Sequence, residues 1–381
     1  MWITSSIETA KTPTHIALGN FDGVHLGHQR VMARILGKSE ENTSLRDLDS
    51  DNSVSNDEPI AHSLSAQSIA ALHDDAIASG YSQIQNELSA TDAARELKAS
   101  RERQLGYSTV VTFFPHPQEY FSKTARPLLT PVQEKIWQLS NLGVQQLIML
   151  PFNQALAELD PEAFVKQILI DGLQAQRISV GNDFHFGKGR SGTAEKLEQI
   201  ASRYSVPVTR VALRQEKGDR ISSSRIRQAL SAGELDEATQ LLGRPYILTG
   251  RVVRGQQIGR TIGFATANLQ VPADKYLPRT GVYKVSAYGA ASDPRAEPQL
   301  GVMNVGHRPT VGGQSLSVEV HLLDWSGDLY GQFLTVSLDA FIRPEQKFDS
   351  LDQLKAQIAK DCEMARSAPS KSGTGRNGNA P

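Results

Sequence analysis

The pattern of strand-like and helix-like segments changes once along the chain, and this change constrains the fold more than any other feature. Up to about residue 243, short apolar segments such as Thr14–Asn20 and Ser108–Phe114 alternate with helical ones. Such alternation is typical of a parallel sheet covered by helices on both faces. From about residue 246, short strands with glycine turns predict an antiparallel barrel or sandwich, and the amphipathic segment Ser350–Asp361 predicts a final helix. We therefore expect an α/β N-terminal domain with a Rossmann-like parallel sheet and an all-β C-terminal domain with a terminal helix.

The boundary between the two domains is predicted near Gly243–Pro245, where glycine ends a helix and proline prevents its return. The 381 residues suffice for two domains, which we place at residues 13–243 and 244–365. Residues 38–90 are rich in Ser, Asp, Glu and Asn, and residues 366–381 are also poor in apolar side chains. Because neither composition can build a core, we interpret the first segment as a flexible insertion and the second as a flexible tail.

The composition excludes several classes of protein. A formal net charge of −1 gives no overall field that would attract nucleic acid or an anionic membrane. The single cysteine, Cys362, cannot form an intramolecular disulfide or a thiolate metal cluster. The sequence contains no apolar run long enough to span a bilayer and no leader with a basic and then an apolar part. We expect a soluble cytoplasmic protein that binds neither nucleic acid nor membrane. The sequence leaves the oligomeric state open.

Two histidines, His25 and His28, follow a glycine-flanked turn in the segment GNFDGVHLGH, at the predicted end of a strand and start of a helix. Open parallel sheets bind ligands at this end of their strands, and the first N–H groups of the following helix attract anions. Two imidazoles there can donate hydrogen bonds to phosphate oxygens as charge develops on them. The spacing alone is also compatible with a surface pair or with half of a metal site.

A second candidate phosphate site lies in the segment ISSSRIRQAL, where a serine run opens a helix that carries Arg225 and Arg227. Serine is a good N-cap, and the free N–H groups that follow it can bind phosphate together with an arginine. An ordinary capped and solvated helix would have the same pattern.

Taken together, GNFDGVHLGH and ISSSRIR resemble the HxGH nucleotidyltransferase superfamily. The segments VTFFPHP, LPFN and VGNDFHFGKGRSG narrow the resemblance to the FAD synthetase module of prokaryotic bifunctional riboflavin kinase/FAD synthetase. The resemblance implies that His25, His28 and Arg225 are catalytic. It also implies residues that bind the phosphates of ATP, namely Gly19, Asn20, Phe21, Gly23, Gly27, Ser222 and Ser223. The implied flavin-binding residues are His116, Asn182, Asp183 and Phe184.

The C-terminal part resembles the riboflavin kinase domain of the same family through the segment GRVVRGQQIGRTIGFATANL. Glycines allow a backbone loop to wrap phosphates, here from Gly255 through Gly259 to Gly263. Thr266 and Asn268 offer neutral oxygens to a magnesium ion. The family usually has proline where this chain has Ala265. A glycine-rich hairpin of a barrel is the alternative interpretation of the segment, but GVMNVGHRPT and LDWSGDLYG also match the kinase pattern.

Glu319 lies in the predicted strand LSVEVHLLDW, on the face opposite to the apolar residues. A glutamate there is usually just solvated. The resemblance to the kinase family places it near the riboflavin 5′-hydroxyl, and it is our candidate general base, because a neutral hydroxyl must lose its proton to attack phosphorus.

The resemblance implies two activities: phosphorylation of riboflavin to FMN, and adenylylation of FMN to FAD with release of pyrophosphate. The expected substrates are riboflavin, FMN and ATP, and the expected metal is Mg²⁺. Two alternatives remain at this point. The chain could retain only one of the activities, or it could be a non-catalytic flavin-binding protein.

Overall fold

The computed structural model describes residues 1–36, 106–212, 215–216, 219–255, 259, 262–290, 297–310 and 313–367. The predicted insertion at 38–90 and residues 368–381 of the predicted tail lie outside these ranges. The first two residues of that tail, Arg366 and Ser367, belong instead to the last helix. The described residues form two compact units, of which the first ends at Ser222 and the second begins at Ser223. The family-specific segments of the sequence are divided between them.

The first unit is built on a six-stranded sheet in the order β1-β4-β3-β2-β5-β8, in which every neighbouring pair is parallel. The predicted doubly covered parallel sheet is confirmed. Its strands and the short ones beside it are β1 (Trp2–Thr4), β2 (Thr14–Leu18), β3 (Tyr107–Phe114), β4 (Gln146–Pro151), β5 (Ala175–Gly181), β6 (His185–Phe186), β7 (Gly192–Thr193), β8 (Val208–Val211), β9 (Gln215–Glu216) and β10 (Asp219–Arg220).

Alternate residues of the central strands pack into two separate cores, one on each face of this sheet. In β2, Ile16 and Leu18 belong to one core and Ala17 to the other. Neighbouring side chains of a strand point to opposite faces, so an apolar run without polar interruptions is what a sheet buried on both sides requires. The carboxyl ends of the central strands are thereby held rigidly where the functional loops begin.

Helices cover both faces of the first unit, and several begin at the side chains that the sequence indicates. Asp160 caps a helix by accepting the backbone N–H of Ala163 at 2.8 Å, as its position before a proline predicts. That helix continues as the π-helix Phe164–Gly172. The α-helices of the unit are α1 (Leu26–Ala33), α2 (Pro117–Ser122), α3 (Val132–Asn141), α4 (Gln154–Glu158), α5 (Pro161–Ala163) and α6 (Ala194–Ser202).

The second unit begins with two helices and continues as a closed barrel of six antiparallel strands in the order β11-β12-β15-β14-β13-β16. The predicted barrel with a terminal helix is confirmed. Its elements are α7 (Ser223–Ala232), α8 (Leu235–Leu242), β11 (Ile247–Val253), β12 (Ala267–Gln270), β13 (Gly281–Tyr288), β14 (Gln299–Thr310), β15 (Gly313–Leu322), β16 (Phe333–Arg343) and α9 (Leu351–Ser367).

The terminal helix α9 is attached to the barrel by an apolar and an ionic contact. Cys362 and Ala365 pack against Val282 of β13 in a small core. Beside them, the Asp361 carboxylate accepts hydrogen bonds from Arg343 Nε at 2.9 Å and from its terminal nitrogen at 2.8 Å. The Asp361 side chain is 2% exposed, so this ion pair is buried.

Candidate active sites

The turn after β2 places His25 at the start of α1 and contains backbone of unusual conformation. Phe21 and Val24 have left-handed φ angles of 49° and 44°, and both side chains are buried. Because bulky and β-branched residues rarely adopt this conformation, the surrounding structure must hold it in place. Thr112 Oγ1 donates a hydrogen bond to the carbonyl of Asn20 at 3.1 Å, and Gln29 Nε2 donates to that of Val24 at 3.0 Å. We call Gly19–Val24 the phosphate turn.

Two of the predicted glycines in the phosphate turn fit closely into its shape. A Cβ at Gly19 would lie 3.3 Å from Cζ of Phe21. Gly23 has a φ of 94°, which only glycine adopts readily, and its N–H donates to Thr130 Oγ1 at 2.9 Å. The turn is therefore compact and is tied to the loop before α3.

The two predicted imidazoles are in contact at the start of α1. His25 is the N-cap, and its Nδ1 accepts the backbone N–H of His28 at 3.2 Å. An accepting nitrogen carries no proton, so the neutral His25 ring carries its proton on Nε2. The two rings are stacked with their centroids 3.6 Å apart. A Cβ at Gly27 would lie 3.1 Å from Cε1 of His25, so glycine leaves room for the stacked pair.

The His28 imidazole is held neutral. Its ring meets the edge of Phe21 at 5.2 Å, and its buried Nδ1 has no hydrogen-bond partner among the residues that the structure describes. Burial is the largest cause that holds the pKa of His28 well below the usual 6.5, followed by repulsion from His25 whenever that ring is protonated and by the positive charges of Lys135 and Arg220. In this structure, therefore, His28 can act near pH 7 as a hydrogen-bond donor and not as a cation.

Two buried charged residues that the sequence analysis missed lie against the phosphate turn. Lys135 of α3 donates from Nζ to the carbonyl of Asn20 at 3.0 Å. The Asp22 Oδ1 accepts the backbone N–H groups of Leu129 at 2.9 Å and Thr130 at 3.2 Å. Burial lowers the pKa of Lys135, and the Asp22 charge opposes this shift. A lysine in an amphipathic helix is normally solvated, so nothing in the sequence pattern marked Lys135.

His116, one of the predicted flavin-binding residues, is the N-cap of α2. Its Nδ1 accepts the backbone N–H of Gln118 at 3.1 Å, so its neutral ring, like that of His25, carries the proton on Nε2. Burial, followed by the positive charge of Arg126, lowers the pKa of His116 to about 4. The charges of Asp22 and Lys135 also act on this imidazole, which therefore lies within electrostatic reach of the phosphate turn.

An aromatic cluster that the sequence analysis did not single out extends from the helix that His116 caps. Tyr120 and Phe121 of α2 meet Phe152 edge to face, with ring centroids 5.3 Å and 5.8 Å from it. Phe113, at the end of β3, meets Phe152 at 5.9 Å. The Phe121 side chain is 67% exposed, so the cluster offers aromatic surface to a ligand. We call Phe113, Tyr120, Phe121 and Phe152 the aromatic cluster.

The other predicted flavin-binding residues follow β5. Asn182 and Asp183 are exposed, and Asp183 forms an ion pair with Arg220 of β10. The Phe184 ring stacks on Phe186 with centroids 5.7 Å apart and packs against one of the two cores. Their contact with a flavin stays a prediction.

The serine and arginine segment falls at the division between the two units. Ser222 ends the first unit, whereas Ser223 and Arg225 lie in the second. Arg225 forms an ion pair with Glu237 of α8, with two guanidinium nitrogens 2.6 Å from the same carboxylate oxygen. The predicted phosphate contacts of these three residues stay predictions.

In the second unit, three polar residues form a row across neighbouring strands of the barrel. Asn268 of β12 and Asn304 of β14 are both register partners of Glu319 on β15. Directly paired residues of adjacent strands point to the same face of a sheet. Val318 and Val320, which flank Glu319, point to the other face and are buried, as the alternation predicts. We call Asn268, Glu319 and Asn304 the polar row.

The predicted phosphate loop is described at its glycines but not in full, because residues 256–258 and 260–261 lie outside the described ranges. A Cβ at Gly255 would collide with the side-chain amide of Asn268. The N–H of Phe264 donates to the carbonyl of Gly259 at 2.8 Å, and Gly263 has a φ of 90°. These glycines therefore permit a tight loop over one end of the polar row.

The segment that contains Ala265 in place of the usual proline is anchored to β15. The carbonyl of Ala265 lies 2.8 Å from Nδ1 of His321, and the Phe264 ring meets the His321 ring edge to face at 5.4 Å. In the family, proline restricts the backbone of this segment. In this chain, the contacts with His321 hold the segment in place. Thr266, the other predicted metal ligand, follows directly and is partly buried.

Matches to family models define a class of protein: an α/β unit of the FAD synthetase type followed by a barrel of the riboflavin kinase type, both of which transfer groups from nucleotides. The riboflavin kinase family model matches residues 242–368, and the FAD synthetase family model matches residues 7–46 and 93–225.

Comparison with whole proteins finds relatives whose names give both activities. The bifunctional riboflavin kinase/FMN adenylyltransferase of Escherichia coli (strain K12) is 42% identical over 259 residues, which cover 68% of this chain and 81% of that relative. The protein of the same name from Pseudomonas fluorescens is 34% identical over 357 residues, which cover 93% of each chain. This chain belongs to the family of bifunctional riboflavin kinases/FMN adenylyltransferases.

Among solved structures, the crystal structure of a protein described as a macrolide-efflux protein from Streptococcus pneumoniae is similar over 96% of this chain and 99% of its own. The TM-score is 0.69 and the sequence identity is 27%. In the described part of this chain, none of the helices combines the length and the apolar character that crossing a bilayer requires.

Proposed function

We propose that this chain carries out two successive transfers from ATP to a flavin. The first makes FMN from riboflavin, and the second makes FAD from FMN. The observation that carries this proposal is that the two family models match separate parts of one chain, with the stacked histidines in one part and the polar row in the other. Both reactions consume ATP, so we place the protein in the cytoplasm.

In the kinase reaction, Glu319 is proposed to be the general base. The riboflavin 5′-oxygen forms a bond to the γ-phosphorus of ATP, and the bond from this phosphorus to the oxygen bridging the β- and γ-phosphates breaks, which releases ADP. The hydroxyl proton passes to the Glu319 carboxylate. Asn268 and Asn304 lie on either side of Glu319 in the polar row and can orient it and the hydroxyl.

Thr266 and Asn268 are the residues proposed to hold the Mg²⁺ that accompanies ATP. Among the described residues, no cluster of three or more histidine, cysteine or acidic side chains could hold a metal ion. Neutral protein oxygens suit Mg²⁺ when phosphates and waters complete its shell. The Asn268 amide occupies the space that a Cβ at Gly255 would fill, so the loop leaves room for this donor set. When bound, Mg²⁺ neutralises charge on the phosphates.

In the adenylyltransferase reaction, no general base is needed because the nucleophile is already an anion. An oxygen of the FMN phosphate forms a bond to the α-phosphorus of ATP, and pyrophosphate leaves. His25, with its Nε2–H, and the neutral His28 are proposed to donate hydrogen bonds to the reacting phosphates, together with the N–H groups at the start of α1. Arg225, Ser222 and Ser223 are proposed to bind the same nucleotide.

The flavin in this reaction is proposed to bind next to the aromatic cluster. His116, Asn182, Asp183 and Phe184 are the polar and aromatic residues that we assign to it, and the exposed Phe121 adds a ring face.

A timed chromatogram of flavins tests both activities. Purified protein is mixed with riboflavin, ATP and Mg²⁺, and we expect FMN to appear first and FAD later. If FMN accumulates without FAD, the protein is a kinase only. If neither product forms from riboflavin, and FMN supplied directly is not converted to FAD, the proposal is wrong and the alternative of a non-catalytic flavin-binding protein is favoured.

A further inference from the structure

Lys135 is a buried cation with more hydrogen-bond donors than its surroundings use. The residue is 9% exposed, on the inward side of α3. The ammonium has three N–H donors, and among the described residues its hydrogen bond is the one to the carbonyl of Asn20, at 3.0 Å. Asp22, the nearby carboxylate, already accepts the backbone N–H groups of Leu129 and Thr130.

A buried ammonium with two unused donors is costly unless a ligand supplies acceptors. An anion with several oxygens would complete the set, because Lys135 would keep its bond to Asn20 and donate its other protons to the ligand. The phosphate turn that Lys135 touches is the segment where such an anion is expected to enter.

The position of Lys135 relates two parts of this site. Burial is the largest cause of the lowered pKa of both His28 and His116, and the Lys135 charge contributes to each shift. The ammonium therefore lies within electrostatic reach of two imidazoles, that of His28 in α1 and that of His116 at the start of α2. The exposed side chain of Phe121, part of the aromatic cluster, is on this same helix.

We propose that Lys135 binds the phosphate of FMN in the adenylyltransferase site and so distinguishes FMN from riboflavin. The inference rests on the proposed function of the first unit. In this assignment the flavin ring system lies on the aromatic cluster, and its phosphate lies beside Lys135, whose charge acts on His116 at the start of the helix that carries Phe121. Riboflavin has no phosphate and leaves the Lys135 donors without acceptors.

Three variants separate this role from that of holding the phosphate turn. Lys135→Met removes the charge at nearly constant length, Lys135→Gln keeps a neutral donor for Asn20, and Lys135→Arg keeps the charge. We measure initial rates of FAD formation with FMN and ATP varied separately. In Lys135→Met and Lys135→Gln we expect the KM for FMN to rise by about 10- to 100-fold, the range for a hydrogen bond to a charged group. The KM for ATP is expected to change by less than about twofold, and Lys135→Arg is expected to recover part of the loss.

The matched control is Lys166→Met, which removes an exposed lysine of the same unit that pairs with Asp171 at 2.6 Å. It should leave both KM values unchanged. Riboflavin kinase turnover in the same samples reports on the intact second unit. If Lys135→Met fails to fold, Lys135→Gln and Lys135→Arg still decide the question.

An unchanged KM for FMN in the uncharged variants, or a rise in the KM for ATP that equals or exceeds it, overturns the assignment of Lys135 to the FMN phosphate. The proposed function fails in a different way, namely if the unmodified protein forms no FAD from FMN.

Discussion

His25 and His116 have the same structural role in two different loops. Each begins a helix, and each uses Nδ1 to accept a backbone N–H in the first turn, so each neutral ring carries its proton on Nε2. In both cases helix formation selects the tautomer that can donate to a phosphate. The sequence identified both histidines from motifs, but the tautomer follows only from the capping geometry.

The lowered pKa of His116 predicts a pH dependence of stability. Below pH 6.5 the unfolded chain binds a proton at this position that the folded chain binds only near pH 4, so stability falls as the pH drops through this window. The contribution is on the order of 2 kcal/mol. Asn also caps helices, so His116→Asn should keep the fold. Between pH 6.5 and 4.5 its unfolding temperature should fall less than that of the unmodified protein. His28 acts in the same direction, so part of the loss should remain.

The control for this prediction is His185→Asn, which replaces an exposed histidine in the same unit. It should follow the unmodified protein over the whole range of pH. An identical loss of unfolding temperature in His116→Asn and in the unmodified protein would contradict the prediction.

Gly27 offers a second test of the stacked histidines. In Gly27→Ala the new methyl group would lie 3.1 Å from Cε1 and 3.2 Å from Nδ1 of His25, so the ring must shift. Misplaced donors weaken phosphate binding, and we expect FAD formation from FMN to fall about 10- to 100-fold. Riboflavin kinase turnover in the same protein is the internal standard. Equal FAD formation in both proteins would show that the ring position is not critical.

Glu319→Gln tests the base in the polar row. The amide keeps the size of the side chain but cannot take up the hydroxyl proton, so FMN formation should fall by about 10²- to 10⁴-fold. FAD formation from supplied FMN should be unaffected, since that site lies in the first unit. Undiminished FMN formation would remove Glu319 from the mechanism.

The attachment of α9 to the barrel depends on the buried pair between Arg343 and Asp361. Removing one member of such a pair leaves the other charge buried, at a typical cost of about 3–5 kcal/mol. We therefore expect Asp361→Asn to lower the unfolding temperature of the second unit clearly. The matched control is Asp324→Asn, because Asp324 pairs with Arg366 of the same helix at 2.8 Å but is 77% exposed. Exposed pairs contribute about 0–1 kcal/mol, so similar unfolding of the two variants would contradict the argument.

The sequence predicted most strands because their apolar patterns are long, and it missed those whose residues serve another purpose. β12 (Ala267–Gln270) lies inside the phosphate-binding motif, where small and polar residues hide the strand pattern. β14 is interrupted by glycine, histidine and proline in GVMNVGHRPT, although it pairs with β15 over its length. The three residues of β1 are too few to show any periodicity.

The same limit applies to the sites. Motif residues such as His25, Glu319 and Asn268 could be named from the sequence, because their spacing is specific to a family. The roles of Lys135 and Phe152 could not be predicted. The sequence pattern of a helix does not show which of its lysines is buried, and an aromatic residue is usually part of a core. Their roles depend on which loops the fold brings together.

At the scale of the whole molecule, the compact units of the structure and the domains predicted from the sequence are divided at different residues. The predicted boundary at residues 243–244 stays a prediction, but the compact units divide between Ser222 and Ser223. The helix α7 is hydrogen bonded to the segment before β13. The Arg279 N–H donates to the carbonyl of Leu230 at 2.9 Å, and the Tyr276 hydroxyl donates to that of Arg227 at 3.1 Å.

These contacts predict that a fragment of residues 223–367 is more stable than one of residues 244–367. Without α7 and α8, the bonded groups of Arg279 and Tyr276 face water and the apolar surface beneath the helices is exposed. We expect a higher unfolding temperature and a higher riboflavin kinase turnover for the longer fragment. Equal values for the two fragments would favour the boundary at residues 243–244.

The closed barrel has a consequence for how the two halves behave when made separately. Each of its six strands is hydrogen bonded on both sides, whereas in the described part of the first unit the sheet ends at β1 and β8. An open strand edge is a template on which a second chain can add a strand and begin to aggregate. In concentrated solution, the nucleotidyltransferase half is therefore the one that needs protection from self-association, and the kinase half is the safer part to transplant into other proteins.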